Sequence, residues 1–149
     1  MKRACRSRLV LACAFLCSTA LVGCGPKKGV ELKGSVVLPK GVVLGNGSVS
    51  VTLVPEDKAG SEAIAKMTEK EPNLVFRRSD AQGVLPGKYK VVVRLNGYPG
   101  SPEAAKAASS YRMYNKLYDQ EKTKLTCEVT GETTQSITID LNAGKVTTN

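Results

Sequence analysis

A chain of 149 residues with 22 Lys and Arg against 13 Asp and Glu carries a formal charge of +9, holds no histidine, and is only 5% aromatic. Without an imidazole, Ser-His-Asp and Cys-His catalysis and every histidine-based metal site are excluded. The basic residues are scattered among apolar ones, with few aromatics to stack bases, which argues against nucleic acid as a partner.

The chain opens on an export address. Lys2, Arg3, Arg6 and Arg8 form a positive segment, Leu9 to Val22 is uncharged and mostly apolar, and Leu21-Val22-Gly23-Cys24 closes it. As a helix this apolar run reaches roughly 21 Å, short of a hydrocarbon core of about 30 Å. Gly25-Pro26 then breaks it. The pattern resembles the bacterial lipoprotein signal, which implies cleavage between Gly23 and Cys24 and a lipid on the Cys24 thiol. Diacylglycerol and N-acyl chains together hold a protein stably where a single chain does not. Residues 24–29 read as a short tether, with Lys27 and Lys28 basic. Gly25 stands where many inner-membrane lipoproteins carry aspartate, so the expected location is the cell envelope, at the outer membrane.

Removing residues 1–23 takes away four basic residues and leaves 126 residues with 18 basic and 13 acidic, a net charge of +5. That is one domain's worth of chain. Cys5, Cys13 and Cys17 leave with the signal and Cys24 carries lipid, so Cys127 stands alone and no disulfide framework exists. The fold must stand on its apolar core.

From Val30 onward the hydrophobic period is two, the signature of half-buried strands. Val30, Leu32, Val36 and Leu38 alternate with Glu31, Lys33, Ser35 and Val37, and Gly34 suggests a bend or bulge. Gly45-Asn46-Gly47 is a turn leading to Val49, Val51 and Leu53. Ser61 to Met67 has helical propensity, yet also reads as a strand with Ala63, Ala65 and Met67 inward. The Pro72-Asn73 turn and the run Leu74–Arg78 favour the strand, with Leu74 and Phe76 on one face. Pro86-Gly87 launches Tyr89, Val91, Val93 and Leu95, the clearest strand in the chain.

Pro102 at a first helical position, followed by Ala104, Ala107, Ala108, Tyr111 and Tyr118, predicts a helix from about 102 to 116 inside a long crossover. Leu125, Cys127 and Val129, then Ile137, Ile139 and Leu141, make the final strands, and residues 143–149 are expected to fray. The sum is a mainly β domain over residues 30–142. It is expected to be an antiparallel β-sandwich of about seven strands, with transthyretin-like or Ig-like Greek-key wiring and one short helix.

Val-Thr-Leu-Val-Pro-Glu-Asp at 51–57, Pro-Gly-Lys-Tyr-Lys-Val-Val-Val at 86–93, the segment 117–129, and Ile-Thr-Ile-Asp-Leu at 137–141 follow one another after the lipid signal. In this order they resemble the small lipoproteins of planctomycete-type bacteria, whose exported domain is similar to the carboxypeptidase regulatory-like sandwich. The resemblance implies a fold and an envelope location, and brings no catalytic residues with it. Asp80-Ala81-Gln82-Gly83 runs almost directly into Pro86, so an edge strand usual at this point is shortened or absent.

Tyr98, Tyr111, Tyr114 and Tyr118 are the candidate binding residues, since exposed coplanar rings would make a sugar platform; the competing role is to clamp the crossover onto the core. Glu56-Asp57 and Asp119/Glu121 offer oxygen ligands, but neither pair has the spacing of a cation-binding loop, so neither metal nor cofactor is expected. Cys127 reads as a small buried residue and Tyr89 as a core residue whose hydroxyl ties down a loop. Function is expected to be non-enzymatic: a lipid-anchored module contacting an envelope protein or polysaccharide, with Lys27, Lys28, Lys88, Lys90 and Arg94 favouring acidic partners. The alternative is an extracytoplasmic carbohydrate- or small-ligand-binding lipoprotein.

Overall fold

The computed structural model describes residues 29–57, 60–80, 82–97, 102–131 and 133–149. The signal segment with Gly23 and Cys24, most of the tether, and Tyr98 lie outside these residues.

Among the described residues, nine strands and one helix follow in order: β1 (Glu31–Val37), β2 (Ser48–Pro55), β3 (Ala63–Met67), β4 (Leu74–Val75), β5 (Arg77–Arg78), β6 (Gly87–Asn96), α1 (Pro102–Leu117), β7 (Thr126–Val129), β8 (Thr134–Asp140) and β9 (Lys145–Thr148). They build two sheets, ordered β4-β1-β8-β9 and β5-β3-β2-β6-β7. The inward residues of both sheets form one core. Leu32, Val49, Val51, Leu53, Leu74, Val91, Val93, Ile137 and Ile139 are all essentially solvent-free. Each such side chain contributes about 1.5–3 kcal/mol on burial.

The ambiguous stretch before Met67 is a strand, because only alternation buries Ala63, Ala65 and Met67 while leaving Ile64 and Lys66 in water. The helix occupies the expected place. Elsewhere the structure departs from the sequence reading in four respects, each with a physical cause.

First, the sandwich is not antiparallel throughout. β1 and β8, the central strands of the smaller sheet, run parallel from Glu31↔Thr134 to Val37↔Asp140. A parallel pair needs a long connection, and here nearly the whole domain lies between the two partners. Alternation looks the same in either direction, so the sequence carries no sign of it.

Second, Gly34 makes no bulge: the register passes through Gly34↔Ile137 without interruption. Gly34 faces inward, in phase with Leu32, and a Cβ there would meet the Ile137 carbonyl oxygen at 2.8 Å and its Cγ1 at 2.9 Å. The glycine permits close approach of two strands.

Third, the run Leu74–Arg78 divides between the sheets. Leu74–Val75 pairs with β1, Arg77–Arg78 pairs with β3, and the chain changes sheet at Phe76, whose amide donates to the Leu32 carbonyl. Leu74 and Phe76 are both buried, as their shared face requires. Among the described residues of the short segment 80–86 the pairing is a single bridge, Val30↔Val84. Gly83 there has φ +78°, and a side chain on it would strike the Gly29 backbone at 2.7 Å.

Fourth, the C-terminus does not fray. Lys145–Thr148 closes an antiparallel hairpin on β8 through Ile137↔Thr148 to Asp140↔Lys145, and Ser136 and Asn149 exchange both backbone hydrogen bonds. Asp140 Oδ1 accepts from the Asn142 and Ala143 amides and so sets the tight turn between them.

Candidate functional site

The crossover is best understood from its stripe of polar-tipped side chains. Tyr111, Tyr114, Asn115 and Tyr118 recur at helical spacing and turn toward the body of the domain. Tyr111 is 6% exposed and its hydroxyl donates to the Val43 carbonyl at 2.8 Å. Tyr118 is 7% exposed and its hydroxyl donates to the Leu141 carbonyl at 3.0 Å. Burial raises both phenol pKa values above the ordinary range, with minor help from Glu69 beside Tyr111 and from Tyr114 and Asp140 beside Tyr118. Tyr114 is half-buried, and its ring lies nearly parallel to that of Tyr118, centroids 6.4 Å apart. Tyr111 and Tyr118 therefore clamp the crossover onto the core and offer no free ring face to a sugar.

The same stripe closes the open edge of the larger sheet. β7 pairs with β6 only from Gly87 to Lys90. Further along β6 the crossover supplies the missing partners: the Val91 amide donates to Leu125 O, the Val93 amide to Tyr118 O, and the Leu95 amide to Asn115 Oδ1. Asn115 Nδ2 donates back to Leu95 O at 3.0 Å, and Thr123 Oγ1 donates to Val91 O. A side-chain amide thus imitates a strand residue and seals an edge that would otherwise invite pairing with another chain. Asn115 was missed in the sequence, although its spacing of four from Tyr111 and three from Tyr118 places it on the clamping stripe.

Tyr89 and Cys127 sit as expected. The Tyr89 hydroxyl donates to Leu85 O at 2.8 Å from a buried ring, and burial is the main cause of its raised pKa. Burial alone pushes the Cys127 thiol up to about 12, leaving it protonated and a poor nucleophile at neutral pH.

No pattern in the sequence marks out Arg78. On β5 it stands opposite Ala63, on the core side, and its side chain is 5% exposed. Nε and Nη2 donate to the two Asp80 oxygens at 2.9 and 2.6 Å, and Ser61 Oγ donates to Asp80 Oδ2 at 2.6 Å. The Arg78 hydrogen bond, then that of Ser61, holds the Asp80 carboxyl below its usual range. Nη1 is buried with no hydrogen-bond partner among the described residues. This bidentate pair anchors the end of the sheet where the chain has just changed sheets.

The carboxylates singled out in the sequence come partly together. Glu56, Asp119 and Glu121 line one open groove of about 910 Å³ with Val54, Pro55, Gln120, Lys90 and Arg94. Asp119 Oδ1 is engaged by the amides of Glu121 and Lys122, fixing the loop after α1. Among the described residues no group of three or more potential ligands converges on a metal position.

The two outer sheet faces differ in charge. Outward on the smaller sheet stand Glu31, Lys33, Asp140 and Lys145, balanced in sign, with Glu31 and Lys33 paired at 3.0 Å; the rest are mainly Ser and Thr. Outward on the strands of the larger sheet stand Lys66, Arg77, Lys88, Lys90 and Arg94 against a single acid, Glu128. Among the described residues the ion pairs are Glu31–Lys33 and Arg78–Asp80, so none of these five cations is paired. Compared with known proteins, the chain matches no family model, no curated protein and no solved structure.

Proposed function

We propose that this chain is a lipid-anchored module of the cell envelope that works by binding, without catalysis, through an acidic partner laid on its larger sheet. The observation that carries the reading is the contrast between the two outer faces. One is balanced in sign, with Glu31 and Lys33 paired; the other holds five cations, on β5, β3 and β6, that make no ion pair among the described residues. Outward lysines are ordinary on a half-solvated sheet, but a random surface would distribute them over both faces with acids interspersed. An excess of one sign on one face produces a local positive potential that draws acidic partners and fades with salt. The export address and the Leu21–Cys24 box support an attachment through Cys24, with the sandwich held beyond a short tether.

Two experiments test this. Cys24→Ala is expected to move the protein from the membrane to the soluble fraction on fractionation; unchanged sedimentation would remove the anchor. Crosslinking in intact cells followed by purification is expected to recover an acidic envelope component, and recovery of the uncrosslinked protein alone would remove the binding role.

A further inference from the structure

The sheet registers place the five cations in a definite pattern. Ser50 pairs with Lys66 on one side and Arg94 on the other; Thr52 pairs with Ile64 and Val92; Val54 pairs with Lys90. Arg77 adjoins Ile64 from the outer strand, and Lys88 follows Lys90 toward the other end of β6. The charges therefore form two rails, Lys66 and Arg77 on one side and Lys88, Lys90 and Arg94 on the other. Between them β2 presents only Ser50, Thr52 and Val54, all half-buried. β3 and β6 lie two strand spacings apart, roughly 10 Å, and Lys88 and Lys90 are roughly 7 Å apart along β6.

We infer that this trough binds a linear acidic glycan lying along β2, its carboxylates against the two rails and its hydroxyls over Ser50 and Thr52. The inference rests on the binding role proposed above and names its ligand. The floor, Ser50 and Thr52 hydroxyls with the aliphatic Val54, Ile64 and Val92 and no aromatic ring, suits a sugar chain better than a nucleic acid, whose bases need stacking partners. A membrane surface suits the geometry less well. The chain enters the described domain at Gly29, beside the Gln82–Gly83 loop at one end of the strands, so a lipid anchor holds that end toward the bilayer rather than the sheet face. Acidic residues flank the outer side of the β6 rail: Glu128 on β7 stands beside Lys88, and Glu56, Asp119 and Glu121 line a groove with Lys90 and Arg94, while Glu62 precedes β3. They confine the occupant to the β2 side of that rail.

The test uses the full-length protein in a neutral detergent, with polygalacturonate as the probe and dextran as its uncharged counterpart. Binding to polygalacturonate at low salt, lost on adding salt and absent for dextran, is expected. Neutralising either rail, Lys66→Gln with Arg77→Gln or Lys90→Gln with Arg94→Gln, is expected to weaken it roughly tenfold, while Lys33→Gln with Lys145→Gln on the opposite face leaves it unchanged. Glu56→Gln with Glu121→Gln is expected to strengthen it. All these side chains face outward, so an unchanged circular dichroism spectrum and thermal midpoint separate loss of binding from loss of fold. Equal weakening by the opposite-face pair overturns the trough. So does tighter binding to poly-glutamate or to phosphatidylglycerol vesicles than to polygalacturonate. If polygalacturonate fails to bind but cells yield a crosslinked acidic partner that is lost when both rails are neutralised, the glycan fails and the binding role stands; if neither polygalacturonate nor any cellular partner binds, both fail.

Discussion

Replacing Asn115 tests whether the crossover seals the sheet edge or merely lies beside it. In the folded protein its amide accepts from the Leu95 N–H at 2.7 Å and donates to the Leu95 carbonyl at 3.0 Å, in a partly buried setting. Asn115→Ala removes both bonds and leaves two backbone groups to whatever water reaches them. At about 1 kcal/mol net for each bond, the expected loss is about 2 kcal/mol, or roughly 8 °C in thermal midpoint for a domain of this size. Asn115→Asp separates the two bonds: a carboxylate still accepts from the amide but faces the Leu95 carbonyl with like charge. The native state then holds the introduced carboxyl protonated more readily than the unfolded chain does, so its folded pKa lies above its unfolded value near 3.9. The deficit of this variant relative to wild type is therefore full at neutral pH and shrinks as pH falls through the folded pKa, because the protonated acid donates again. Equilibrium urea unfolding at pH 7 and at pH 4 reads both effects. A cost below about 0.5 kcal/mol for Asn115→Ala, or a pH-independent deficit for Asn115→Asp, would refute the sealing role.

Two further measurements probe the core. Gly34→Ala is expected to destabilise by about 1–3 kcal/mol, because the new methyl meets the Ile137 backbone oxygen at 2.8 Å. A strand glycine without such a neighbour would gain stability on becoming alanine, so the sign of the change in urea midpoint decides. Native Cys127 is expected to resist thiol reagents at pH 8 and to react only when the chain unfolds, since burial holds its pKa at about 12. The linkage runs the same way: unfolding frees a thiol that ionises near pH 9, so this stabilisation is whole below pH 9 and is lost as pH rises toward 12. Rapid stoichiometric labelling of the folded protein would contradict the burial.

The local content of the fold is written in the order of residues. Alternation marks β2, β3, β6, β7 and β8 and names their inward faces, because a strand's side chains change sides at every step. Pro102 and the spacing of Tyr111 and Tyr118 mark the helix and its clamping stripe for the same kind of reason. What alternation does not encode is which strand lies beside which and in what direction. The parallel union of β1 with β8, the change of sheet at Phe76 and the use of Lys145–Thr148 as an edge strand all depend on partners far away in the chain. Gly34 shows the limit most plainly: a strand glycine suggests a bulge when read alone, and proves to be the space for Ile137 once the partner is known. The candidate site divides likewise. Each lysine and arginine was visible in the sequence, but only lateral pairing of β5, β3, β2 and β6 sets Arg77 and Lys66 across from Lys90 and Arg94, and turns scattered charge into two facing rows.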